Sequence, residues 1–373
     1  MRALLIILNV LLLTTPIFGF VPPSFVTTTV PNGEYNSPYS VNIIASDDDG
    51  DPIMLVLMPG GLPAGLNFID NSDGTGTVSG TPTETGMFSF EITATANGES
   101  VPQSFDLTIN KAAVTVAISN TTQTYDTSPK PVTTVTTPAG LAVDVTYAGS
   151  PTPPTNAGTY AIVATINDAN YEGSNTGSLT INKAAATVAI SNTTQTYDTS
   201  PKPVTTVTTP AGLAVDVTYA GSPTPPTNAG TYAIVATIND ANYEGSNTGS
   251  LTINKAAATV AISNTTQTYN TTPRSVTTVT SPAGLTVDVT YVGSPTPPTN
   301  AGTYAIVATI NDANYEGSNT GSLTINKAAA TVAISNTTQT NNTTPKPVTT
   351  VTTPAGLAVD VTYAGSPTPP TNA

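Results

Sequence analysis

Apolar side chains return at every second position along several stretches of this chain. Phe88, Phe90, Ile92 and Ala94 alternate with other residues, and Phe105, Leu107 and Ile109 do the same. A period of two puts such residues on one face of a strand. The runs Ser40–Ser46, Pro52–Met58, Met87–Ala96 and Ser104–Asn110 therefore predict strands, each bounded by turn signals. Further on, Val114, Val116 and Ile118 alternate, as do Tyr160, Ile162, Ala164 and Ile166, and then Leu179 and Ile181. Leu141, Val143, Val145 and Tyr147 form another such face, with Ala142, Asp144 and Thr146 pointing away. A further strand is expected to include Val132 and Val135. Residues 138–140, 149–151 and 156–158 read as turns. Helical periodicity is absent, so the fold class is all-β.

From Lys111 onward this pattern is copied with a period of 72 residues. Copies run over 111–182, 183–254 and 255–326, and a fourth covers 327–373. The first two differ only at Val114 against Ala186. With a leader at 1–20 and a distinct domain at 22–110, this sets the domain order. Repetition at a fixed period marks stacked structural units. It argues against catalysis in the copies, since an active site is needed once whereas length gains from duplication.

Composition narrows the chemistry. The chain has no Cys and no His. That excludes disulfides, thiol nucleophiles, imidazole triads and His- or Cys-ligated zinc. Net charge is −14, and eleven of the 23 acidic residues lie before Lys111 against Arg2 alone. A chain this acidic has no basic patch for nucleic acid, and anionic lipid should repel it. The concentration of acid in the first domain points to a cation there.

The start has the form of a secretory leader: Met1-Arg2, an apolar run Ala3–Leu13, and a small residue at Gly19 before Phe20. An uncleaved N-terminal anchor is the other reading. Contact with a membrane is expected only through this leader or through an anchor outside the sequence.

ASDDDGDPI (45–53), GLPAGLNF (61–68), VSGTPTETGMFSFEITAT (78–95) and the closing FDLTIN resemble the Ig domains of bacterial surface proteins that are grouped with cadherin-like modules. The resemblance spans about 24–110. It implies an Ig-like β-sandwich with an adhesive or structural role and no catalysis. Within it, Asp47, Asp49 and Asp51 share one side of an extended segment, and Gly50 permits a bend. Carboxylates converging this way suit a hard cation, and Ca²⁺ accepts about 6–8 oxygen ligands. Asp48, Asp70, Asp73 and Glu84 are candidate helpers. The EF-hand pattern fails, because Pro52 stands where Gly is required. A solvated acidic turn is the plainer account of the same residues.

The order AGTY…NY.G…LTI.KA resembles the MBG repeats of bacterial extracellular proteins, from Lys111 to the end. It implies a small β module. An Ig-like sandwich is the expected form, and a β-grasp-like module is the rival, disfavoured because no segment reads as its helix. The repeats lack Phe and Trp, so each core is thin and marginal alone. The junction Leu179–Ile190 contains no Gly, Ser or Pro, unlike a flexible linker. Stiff end-to-end stacking follows as an expectation: an extended rod, with about 30–40 Å per unit and ~150 Å for the array.

Other groups invite chemistry and have simpler readings. Asp144, Asp168 and Glu172 recur with the period and mimic an acid/base set, yet fall on an outward strand position and a loop. Lys111 with Asn182 and Glu172 would suit an isopeptide; a charged junction lysine suffices. Asn120, Asn192, Asn264 and Asn336 open Asn-Thr-Thr triplets that read as turns. Tyr125, Tyr197 and Tyr269 give way to Asn341, as for a tolerant loop position or a decaying copy. Ala373 corresponds to Ala157, so a longer parent with more repeats, an anchor or an enzyme domain is expected. The leading expectation is an exported, non-enzymatic surface protein with an unknown protein or glycan partner. The alternative is a carbohydrate-binding or spacer part of a secreted hydrolase.

Overall fold

The computed structural model describes residues 21–372, so the expected leader at 1–20 lies outside the described residues. It divides into two compact units: one reaches Ala185 and includes Asp240–Glu244, and the other holds Ala186–Asn239 and Gly245 onward. Among the described residues there is no helix, which removes the β-grasp rival. Equally, no helix there is long and apolar enough to cross a membrane.

The first domain is a sandwich of two four-stranded sheets. Its strands are β1 (Ser24–Phe25), β2 (Gly33–Glu34), β3 (Tyr39–Ser46), β4 (Met54–Leu57), β5 (Leu66–Asp70), β6 (Thr75–Gly80), β7 (Gly86–Ala96) and β8 (Glu99–Asn110). The sheets run β1-β3-β6-β5 and β2-β8-β7-β4, with β2 parallel to β8. The alternating residues on β7 and β8 meet the opposite sheet. Phe90, Ile92, Ala94, Phe105, Leu107 and Ile109 join Ile43, Leu55 and Val78 in one continuous core. Phe90 and Phe105 stack with centroids 5.3 Å apart.

Each complete repeat has one four-stranded sheet of the same design. In repeat 1 the strands are β9 (Ala112–Ala113), β10 (Thr115–Ser119), β11 (Thr122–Thr124), β12 (Thr133–Thr137), β13 (Val143–Tyr147), β14 (Gly158–Ile166), β15 (Tyr171–Glu172) and β16 (Ser174–Asn182). The order β11-β16-β14-β13, with β11 parallel to β16, matches the β2-β8-β7-β4 sheet. The facing layer is only the β10–β12 ribbon. A third, two-residue parallel pairing joins β9 to β15. Repeats 2 and 3 keep the same strand registers. The fourth copy pairs Thr331–Ser335 with Thr349–Thr353.

The expected ribbon strand forms around Val135 but begins at Thr133, so Val132 lies just before it. Val135 points outward at 58% exposure, and Thr136 is buried instead. The Thr136 hydroxyl accepts a hydrogen bond from the Leu141 amide at 3.2 Å, tying the ribbon to the following turn. That bond requires the threonine to face in, so polar chemistry sets the phase of this strand against its hydrophobicity.

Candidate functional site

The acidic run folds as a turn that bends at Gly50, so its carboxylates meet around the turn and not along one side of an extended segment. The Gly50 amide bonds the Asp47 carbonyl at 3.2 Å, and Gly50 adopts φ +79°. Asp47 Oδ1 accepts amide hydrogens from Asp49 and Asp51 at 3.0 and 3.2 Å. The turn brings one carboxylate oxygen of each of Asp47, Asp49 and Asp51 within 4.8 Å of the others. Asp47 Oδ2 is buried and has no hydrogen-bond partner. An unpaired buried carboxylate oxygen carries a desolvation cost that a cation would relieve. A shallow polar hollow of about 390 Å³ runs from this turn to Ser72–Gly74.

The proposed helpers divide. Asp73 lines that hollow. The hydroxyl and amide of Thr75 hold its carboxyl below the usual range. Asp70 is committed to the amides of Leu55 and Ser72. Glu84 accepts from the Ala64 amide at 2.7 Å. It therefore clamps the LPAGL turn, where the Thr81 amide also bonds Gly65. A Cβ on Gly65 would lie 2.0 Å from the Thr81 carbonyl oxygen, which explains the glycine of that motif. Asp48 is exposed.

A second set of residues, some singled out in the sequence for other reasons but none as a junction, joins the modules. In each complete repeat an Asp-Ala-Asn-Tyr loop leads into the β15 position. Asp168 Oδ1 accepts from the amides of Asn170 and Tyr171, which pre-forms the loop. Tyr171 then meets Tyr35 of the first domain edge to face, with centroids 5.2 Å apart. Partial burial, then the neighbouring Tyr35 and Asp168, raises the Tyr171 pKa. Thr85 donates to Asn170 Oδ1 and to the Ala169 carbonyl.

The same clasp recurs twice. Within the first compact unit, Tyr243 meets Tyr125 at 5.3 Å, and Asn242 Oδ1 accepts the Ala157 amide at 2.8 Å. Within the second, Tyr315 meets Tyr197 at 5.3 Å, and Asn314 Oδ1 accepts the Ala229 amide at 2.8 Å. In both, the asparagine Nδ2 also donates to the side chain of Asn156 or Asn228. Tyr125 and Tyr197 are therefore junction residues and not tolerant loop positions. Gly173 completes the loop, since a Cβ there would lie 2.2 Å from the Val114 carbonyl oxygen.

The remaining candidates have structural partners. Asp144 accepts from the Asn167 side-chain amide at 3.0 Å. Lys111 Nζ donates to the Asp168 carbonyl at 2.6 Å, so the geometry gives it a loop-bracing role in place of the isopeptide. Asn120, Asn192, Asn264 and Asn336 all take positive φ, as turn asparagines do. A buried Lys130 pairs with Asp126 at 2.5 Å, and Lys202 with Asp198 likewise. Lys130 first, then Ser128, holds the Asp126 carboxyl far below its ordinary range. Asn270 and Arg274 stand at these places in repeat 3.

Comparison with known proteins bears on the same two regions. Residues 22–110 match the family described as Putative Ig domain. Residues 112–185, 186–257, 258–329 and 330–373 each match the MBG domain family. No curated protein matches the chain. Among solved structures, an ICAM-5 D1–D4 ectodomain fragment aligns at 11% identity and TM-score 0.31, over 82% of this chain and 99% of that one. Human protocadherin-24 EC1-2 aligns at 14% and 0.26, over 44% of this chain and 99% of that one. The endo-fucoidan hydrolase MfFcnA9 aligns at 18% and 0.23, over 63% of this chain and 34% of that one. MBG and Ig-like domains are typical of bacterial extracellular proteins, and their combination fits a surface stalk or spacer. With its matches covering the greater part of the sequence, the chain belongs to the MBG domain family.

Proposed function

We propose that this chain is a non-enzymatic spacer in a protein exported to the bacterial surface, with the first domain as its contact module for a protein or glycan. The observation that carries the reading is the recurrent clasp. Tyr35–Tyr171, Tyr125–Tyr243 and Tyr197–Tyr315 make one joint three times over. A joint encoded inside the repeated unit lets each duplication add a module without a new interface. Deleting 183–254 tests this, because it joins Asn182 to Lys255 and regenerates the Asn-Lys junction. Small-angle scattering should show the maximum dimension falling by about 30–40 Å, one module of strands plus loops. An unchanged dimension would contradict the spacer role.

A second part of the proposal concerns Asp47, Asp49 and Asp51. Their convergence and the partnerless Asp47 Oδ2 support a Ca²⁺ ion at the acidic turn. A hard oxygen donor set suits Ca²⁺, with water completing the shell. Calcium would hold the turn at one end of the sandwich and make contact there cation-dependent. Calorimetric titration of the full chain should give heat that Asp51→Asn removes. Absence of heat, together with an unmoved melting temperature, would remove calcium from the account.

A further inference from the structure

One strand edge in each complete repeat is open where the first domain continues its sheet. In the first domain β3 lies between β1 and β6. In repeat 1 β12 pairs with β10 as β3 pairs with β1, and among the described residues no strand takes the place of β6. The other borders of the repeat are guarded. The Asn175 side-chain amide donates to the Val116 carbonyl at 2.8 Å on the outer edge of β10, and Asn247 and Asn319 do the same for Val188 and Val260. β13 carries the charge of Asp144. β12 has neither guard: Thr133–Thr137 is uncharged, and Val135 stands exposed at its centre. Alternate residues of an antiparallel ladder turn N–H and C=O away from the partner strand. The Val116 carbonyl is turned away in this manner, so its register partner Thr136 is too, and so is Thr134 two places before it. In repeat 2 a hollow of about 230 Å³ lies beside this edge, lined by Thr206, Val207, Thr208, Leu213 and Val215. It leaves room for the inward side chains of an added strand, as Val78 of β6 enters the core of the first domain.

We infer that this edge is a homotypic docking site, where β12 of one copy of the chain pairs antiparallel with the same strand of a second copy. The sequence selects that occupant. Thr-Thr-Val-Thr-Thr reads the same in both directions. A two-fold axis through Val135 therefore sets Val135 against its own counterpart and Thr133 against Thr137 of the second copy, the self-complementary contact of a symmetric dimer. Thr134 and Thr136 then exchange their outward N–H and C=O groups across the axis. β-branched side chains directly opposite one another favour such pairing. Charge points the same way. A chain of net charge −14 repels its own copies, so an uncharged strand is where two of them can meet. Thr205–Thr209 has the identical sequence and Thr277–Ser281 departs only at Ser281, so the edge recurs with the period. The repeats thereby do more than hold a distance: they bring copies of the chain together.

The chain has no cysteine, so introduced thiols report the contact cleanly. The full chain carrying Val135→Cys, Val207→Cys, Val279→Cys and Val351→Cys should form a disulfide-linked dimer on mild oxidation. Opposed residues between the hydrogen-bonded pairs sit about 4.5 Å apart at Cα, inside the span of about 4.4–6.8 Å that a disulfide bridges. Val163→Cys, Val235→Cys and Val307→Cys, on exposed positions of β14 and its counterparts, should leave the chain uncrosslinked. Sedimentation velocity of the unaltered chain should show a dimer that grows with concentration. Val135→Lys, Val207→Lys, Val279→Lys and Val351→Lys together should abolish it, because like charges would face each other across the edge. Equal crosslinking of the two cysteine sets, or a dimer unmoved by the lysines, would overturn the assignment. A chain that stays monomeric at every concentration would overturn it too and leave the edge to a strand of another protein.

Discussion

The first domain and the repeats share one sheet and differ in the other. The β2-β8-β7-β4 sheet and the β11-β16-β14-β13 sheet have the same order and the same short parallel strand. Opposite them stand four strands in the first domain and two in a repeat. Twelve buried residues form one core in the first domain. In repeat 1 the buried residues fall into a group of four around Leu179 and a group of three around Ala164. Small domains bury too little surface to be robust alone. The difference teaches that the repeat has given up half of one sheet of the sandwich and leans on its neighbours through the tyrosine–asparagine clasp.

The largest break in this comparison should come from matched core truncations. Leu107 and Leu179 occupy the same place on β8 and β16 and are both fully buried. Leu→Ala at such sites costs about 2–5 kcal/mol. In the full chain, hydrogen exchange should show Leu179→Ala unfolding repeat 1 while the first domain keeps its protection. Leu107→Ala should weaken the first domain without unfolding it. Equal responses would erase the distinction between a full and a thin core.

A smaller effect probes who depends on the joint. Tyr35→Ala removes the aromatic pair, about 0.5–1.5 kcal/mol, together with one packing contact at the edge of the first-domain core. Loss of protection should be confined to Asp168–Glu172 and the β9 pairing, with β7 and β8 unaffected. A drop across the first domain would show that it too relies on the contact.

The smallest effect separates the repeats from one another. Asp126 and Asp198 have carboxyls held low by Lys130 and Lys202. A carboxyl with a depressed folded pKa contributes stability that is present above its unfolded pKa of about 3.9 and lost as pH falls through the folded value. Repeats 1 and 2 should therefore loosen at their 126–130 and 198–202 turns below about pH 4. Repeat 3, with Asn270 and Arg274, should not. NMR titration of those turns would show the difference, and a parallel response in repeat 3 would refute it.

Much of the architecture was legible because period-two alternation survives wherever a strand has one buried face. Phe90, Ile92, Leu107, Ile162, Leu179 and Ile181 all lie where alternation puts them. The hairpin of β5 and β6 was not legible. Its inward positions include Gly76, which lies under the Phe68 ring so closely that a Cβ would sit 2.4 Å from it. Glycine there gives no hydrophobic signal, although Val78 beside it is fully buried. Ribbon strand β12 was legible at Val135 but not in its facing or its start, because its buried residue is a threonine and it begins after Val132. The acidic cluster was readable as a set but not as a shape, since the Asp47–Gly50 turn depends on local hydrogen bonds. The clasp was hidden by distance: Ala157 and Asn242 are 85 positions apart. Its trace in the sequence was Asp-Ala-Asn-Tyr, which recurs in every complete copy but no more faithfully than its surroundings, because the copies are nearly identical throughout.

The claim that thin-cored repeats are held by their joints is most directly tested at the second clasp. Asn242→Ala with Tyr243→Ala leaves the Ala157 amide without its acceptor and Tyr125 without its ring partner. Hydrogen exchange on the full chain should then show protection falling at Ala157 and spreading through β13, β14 and β16 of repeat 1, with the first domain unchanged. Protection lost only at Ala157, with those strands as slow to exchange as before, would contradict the account.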